Sequence, residues 1–148
     1  MGEAITKEHL KKYKGWKVRV ALDLGRIAEA KSAAEFRPMR ESDGSKHNPS
    51  ASDGMGGAIR WMELKDRLLP AIEENQRKME QIERAIDRLD DPMEQSVLIA
   101  RYIAGEGSEP TPWAAVAMKI YRRDDENAVQ NATRLHGRAL VSIAKEEI

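Results

Sequence analysis

Near the end of the chain Asn127, Gln130, Asn131, Arg134 and Arg138 recur at steps of three and four, so a helix would line them along one side. Their chemistry is that of base-edge recognition. A carboxamide can bond adenine through two atoms at once, and a guanidinium can do the same to guanine in the major groove. Arg122 and Arg123, just ahead of the stripe, have the type and position of phosphate contacts. Val129, Ala132, Leu135, Ala139, Leu140 and Ile143 form the apolar counterpart that would fix such a helix to a core. A polar stripe is also what any amphipathic helix turns to water, so its meaning depends on the elements that hold it.

Other chemistries find less support. The chain has no cysteine, which removes disulfides, thiolate metal sites and thiol nucleophiles and is compatible with a reducing compartment. His9, His47 and His136 lie far apart, and none belongs to a pair with metal-ligand spacing. The carboxylates are spread along helical faces, where intrahelical pairs such as Glu80 with Arg84 are their ordinary use. The DGMGG stretch lacks the Lys-Ser/Thr and the preceding strand of a phosphate loop and reads as a plain connection. Neither catalysis nor a metal nor a cofactor is expected. Trp16, Trp61 and Trp113 read as packing anchors and not as platforms for stacked bases.

The elements that must position the stripe are helical. With 34% charged and 5% aromatic residues and almost no strand-like alternation, the 148-residue chain is expected to be all-α. That length holds one real core, or a small core with a helical arm. The start of the chain has no apolar leader and no run reaches membrane-spanning length, so a cytoplasmic location is expected. The formal charge of zero is unevenly spread: Met1 to Arg37 carry a net +4, Pro38 to Asp90 a net −2, and Asp91 to Ile148 a net −2. A head that is not basic implies weak or partner-assisted binding to nucleic acid.

A first long helix is expected within residues 1–37, from about Thr6 to Glu35, with Leu10, Tyr13, Trp16, Val20, Leu24, Ile27 and Ala34 as its inner stripe and Phe36-Arg37-Pro38 as its stop. Residues 38–57, rich in Ser, Asp, Gly and Pro, read as a loop. Residues 58–90 read as a second long helix, interrupted or kinked at Pro70. Leu68, Ile72, Asn75, Met79, Ile82, Ile86 and Leu89 there form an a/d seam of the coiled-coil type, with Asn75 as its polar break. The seam can close as an antiparallel hairpin with the first helix or by dimerisation, and its length for so few apolar residues favours the dimer.

Residues 91–148 read as three short helices with two tight breaks, the pattern of a helix-turn-helix domain. Asp91-Pro92 starts the first, which buries Val97, Leu98, Tyr102 and Ile103 and stops at Gly105. Thr111-Pro112 starts the second, with Trp113, Val116, Ala117 and Ile120 inward and Ala114, Ala115 and Ala117 small where another helix crosses. The third, from about Asp124 to Lys145, would present the polar stripe. Asp124, Asp125 and Glu126 at its start suit the helix dipole but repel phosphate, so either DNA contacts begin one turn on, at Asn127 to Arg134, or the helix is turned to a protein partner.

The order DDPMEQSVLIARYIAGE, then T-x-W-x-x-V-A-x-x-I, then RLHGRAL resembles the sigma-factor region-four-like domain of phage-encoded regulators of the ArpU type. The resemblance spans about Ala58 to Lys145 and is firmest over Asp91 to Leu140, with RLHGRAL its most specific part. It implies a role in phage late-gene transcription inside a bacterial host, contact with double-stranded promoter DNA and with host RNA polymerase, and a packing-turn role for His136. No segment for melting promoter DNA is visible. Two other readings use the same pattern: a small terminase-like subunit for DNA packaging, and a helical adaptor that binds protein and keeps the helix-turn-helix as scaffold.

Overall fold

The structure is a computed structural model that describes residues 2–35 and 50–147. His47, the Phe36-Arg37-Pro38 stop and most of the expected connection lie outside the described residues. The described residues are all-α, with five helices in the order α1 (Lys7–Glu35), α2 (Ser50–Asp87), α3 (Pro92–Leu98, continued by a π-helical turn, Ile99–Ile103), α4 (Trp113–Tyr121) and α5 (Glu126–Ile143). The bounds of α1, α4 and α5 match the caps and breaks read from the sequence to within two residues.

Helix α2 departs from expectation at two places. It begins at Ser50, eight residues ahead of Ala58, because lengthening an existing helix costs far less than nucleating one and Gly is tolerated at roughly 1 kcal/mol each. It also runs through Pro70 without ending. The exposed ring forgoes one backbone hydrogen bond, while Leu68 and Ile72 on either side bury their side chains.

The chain forms two compact units. One combines Met1–Val18 with Asn75–Ile148; the other is Arg19–Glu74. The expected division between residues 90 and 91 therefore falls inside the first unit. Its core draws Leu10 and Tyr13 from α1, Ile82, Ala85, Ile86 and Leu89 from the end of α2 and the connection after it, and Val97, Leu98, Tyr102, Val116, Ala117, Leu135, Ala139 and Ile143 from the C-terminal helices. Tyr13 donates to Glu83 and the Lys78 ammonium lies 5.6 Å from the Trp16 ring, so α1 and α2 run antiparallel here. The chain ends meet as well: the Ile5 amide donates to the Glu146 carbonyl at 3.3 Å, and Arg88 pairs with Glu146 at 2.9 Å.

In the second unit the same antiparallel order holds, since Lys31 lies over Trp61 and Gly57 approaches Ala34. Leu24, expected inward, is 46% exposed, whereas Asp23 is buried and held by Arg19 at 3.0 Å and Arg26 at 3.7 Å. The local pairing makes an acid acceptable where apolar periodicity alone would exclude it.

The a/d seam expected to join two chains is covered within one. Leu68, Ile72, Ile82, Ile86 and Leu89 are all buried in the single chain, and Met79 and Asn75 are half-buried. Heptad spacing dictates that a helix fills the holes but not whose helix it is. Ile82→Ala should therefore lower unfolding stability by about 2–5 kcal/mol in urea titration. The midpoint should not move with protein concentration; one that rises with concentration would show that a second chain fills the seam.

Candidate nucleic-acid interface

Helix α4 ends where Arg122 adopts a left-handed backbone, φ +60°, with its amide bonded to the Met118 carbonyl. Glycine is the low-strain residue for that conformation, and holding arginine there costs about 1–2 kcal/mol. The turn keeps a cation at a strained position, and the Arg122 side chain is exposed and makes no ion pair among the described residues. Three residues on, Asp125 caps α5 by accepting the Ala128 amide at 2.9 Å. Arg123 grips the same carboxylate through Nε at 2.9 Å and Nη2 at 3.2 Å. The amide bond first, and Arg123 second, hold the Asp125 carboxyl below its usual range. Of the three acids that open α5, one is thus spent on the cap and on Arg123. Arg123 is correspondingly less available to phosphate than its position in the sequence implied.

Beyond the cap, Asn127, Gln130, Asn131, Arg134 and Arg138 are all exposed and share one side of α5. The opposite side buries Ala128, Ala132, Leu135, His136, Ala139 and Ile143. Ala128, Ala132 and Ala139 supply the small side chains where α5 meets its neighbours. The role expected of Ala114 and Ala115 is not theirs, because both are exposed on α4 and only Ala117 of that trio is buried. Arg134 and Arg138 make no ion pair among the described residues, so both guanidiniums keep their donors for an external acceptor.

Behind the stripe lies a polar network that the sequence reading missed. His136, implied to sit in a packing turn, instead lies within α5, buried, with Nε2 2.6 Å from the Tyr102 hydroxyl and its ring edge-on to Trp113 at 4.9 Å. Burial pushes the Tyr102 hydroxyl up, so the phenol keeps its proton and shares a hydrogen bond with the His136 ring. The π-helical turn places Arg101 over Trp113, 4.4 Å from the ring centroid, with Nη1 donating to the Thr111 carbonyl at 2.6 Å. Its Nε is buried without a partner. Lys14 is also buried, and its ammonium donates to Thr111 Oγ1 at 2.7 Å. Burial first, then the like charges of Lys17, Lys119 and Arg101, lower the Lys14 pKa.

Gly105, φ +96°, lets the chain leave the π-helical turn directly over this ammonium; a Cβ there would stand 3.1 Å from Lys14 Nζ. Lys14 and Arg101 have no carboxylate partner among the described residues, and they add positive potential beneath the start of α4. The one signal in the sequence was the place of Lys14 one turn after Leu10, on the inward side of α1. No protein-family model, curated protein or solved structure matches the chain.

His136 makes the unit acid-sensitive. Burial first, then Lys7 and Arg101, depress its pKa to about 4, below the ordinary value of 6.5. Between those values the unfolded chain binds the proton and the folded one does not, so the contribution is whole above pH 6.5 and is lost as pH falls towards 4, by up to about 3 kcal/mol. Urea titrations of the parent and of His136→Leu across that range should show a steeper acid loss for the parent. Equal slopes would mean that His136 is not held neutral.

Proposed function

We propose that the chain is a sequence-specific DNA-binding regulator of transcription that reads a duplex with the outer side of α5. The observation that carries the proposal is the exposed row from Asn127 to Arg138, with two unpaired guanidiniums, on a helix whose other side is locked into the core. Asn127, Gln130 and Asn131 would face adenine edges and Arg134 and Arg138 guanine edges. Arg122 and Lys119 would meet flanking phosphates, Lys119 being an addition from the structure. The resemblance of residues 91–140 to ArpU-type phage regulators supports the same reading and adds late-gene promoters as the target. Asp124 and Glu126, exposed beside the first turn, hold back non-specific attraction, so specificity would rest on base contacts.

A second reading, a protein-binding adaptor, draws on one feature. Half-exposed Met93 and Ile99 border a shallow recess of about 360 Å³ with Ala100, Ile120 and Lys119. RNA polymerase would be a partner of that kind, and DNA binding and this surface are compatible.

Selection of bound duplexes from a random-sequence pool, followed by gel shifts over a salt series, tests the DNA reading. The expected result is an enriched motif whose preference relaxes in Arg134→Ala, with a loss of about 1–3 kcal/mol. No complex at low salt would favour the adaptor, and a complex with unchanged preference in Arg134→Ala would remove α5 as the reading element.

A further inference from the structure

Residues 1–18 carry five lysines against two glutamates, and they fold with the C-terminal helices as one unit. Lys14 lies seven residues after Lys7 and three before Lys17, so all three keep to one side of α1. That side meets the C-terminal helices, since the buried Lys14 ammonium donates to Thr111 Oγ1 at 2.7 Å, just ahead of α4. Gly105 lies against the same ammonium, and its neighbour Ala104 shares a recess with Lys119 of α4. Arg101 completes the group through the Thr111 carbonyl, which its Nη1 reaches at 2.6 Å.

These charges are not neutralised within the described residues. Lys7, Lys17 and Lys119 are exposed and make no ion pair there, and neither do the buried Lys14 and the half-buried Arg101. Glu8 is held by Lys11 at 3.8 Å, and Glu106 and Glu109, exposed after the π-helical turn, pair with none of these cations. Burial first, then the like charges of Lys17, Lys119 and Arg101, disfavour the Lys14 ammonium. A cation that loses water and gains no counter-ion raises the potential over the surface above it, because little solvent screens it. An external anion would therefore meet the field of all five cations while touching only the three exposed ones. Lysine ends are point charges on flexible stems and lack the fixed fork that selects a carboxylate, which suits them to phosphates repeated along a strand. Lys7 to Lys17 spans roughly 15 Å of α1, room for more than one phosphate.

We propose that this side of α1, together with Lys119 of α4, is a second duplex contact, in which Lys7, Lys17 and Lys119 hold backbone phosphates and supply affinity without sequence preference. The proposal rests on the α5 reading only in taking duplex DNA as the partner.

Fluorescence anisotropy of a labelled duplex of arbitrary sequence with the full chain, from about 50 to 200 mM salt, tests it. Lys7→Ala, Lys17→Ala and Lys119→Ala should each weaken the complex roughly two- to fivefold and lower the slope of log affinity against log salt by about 0.9. The triple variant should lower that slope by about 2.7. Lys12→Ala removes the same charge from the side of α1 that shares a cavity with α2, and it should leave the slope as it is. Unchanged circular dichroism would show that the fold survives, and glutamine variants carry the same expectation. Three outcomes would overturn the proposal: no duplex bound by the parent at the lowest salt, a triple variant with the parent's slope, or a loss in Lys12→Ala equal to that in Lys17→Ala. A parent that binds without sequence preference, but whose slope falls in the triple variant, would remove the α5 reading and support this surface.

Discussion

Burial of Tyr102, Leu98, Val116 and Leu135 together with Leu10, Tyr13, Ile82 and Ile86 in one core is the interaction on which the rest of this molecule depends. A head of roughly 60 residues covers too small a share of its own surface to be well stabilised alone. The first turns of α1 and the last turns of α2 supply the missing apolar side. The Ile5 to Glu146 and Arg88 to Glu146 contacts tie the two ends of the chain across the same unit. The first turns of α1 and the last turns of α2 are therefore part of the head.

On the reading proposed above, that constraint is what would let a helix with so little basic charge around it meet a groove. Its orientation is set by buried groups on its inner side, among them an imidazole held between Tyr102 and Trp113. Its start is set by Asp125, which accepts from the backbone and from Arg123 together. A stripe so held loses little freedom on meeting a groove, which favours binding without added attraction.

Much of this was legible in the residues. The cap at Asp91, the stop at Gly105 and the period of α5 mark local preferences that depend on neighbours three or four positions away, and the helices lie where those preferences place them. The exposed row from Asn127 to Arg138 was legible for the same reason. What was not legible depends on which side chains actually meet, most of them distant in sequence. Heptads in α2 show that Ile82 and Ile86 are covered, but the covering comes from α1 and the C-terminal helices of the same chain. Asp23 and Lys14 look like surface residues until Arg19 and Arg26, or Thr111, are placed beside them. Arg123 looked free until Asp125 was seen to hold it, and His136 has no sequence signal that would pair it with Tyr102.

Hydrogen exchange on the intact chain tests the shared core most directly. The account predicts that amides of α1 near Leu10 and Tyr13, of α2 near Ile82 and Ile86, and of α5 near Leu135 and Ala139 exchange through one common opening, with equal free energy and equal dependence on denaturant. Protection that persists in α3 to α5 while the start of α1 and the end of α2 open at far lower denaturant would contradict it, and the head would then be a domain in its own right.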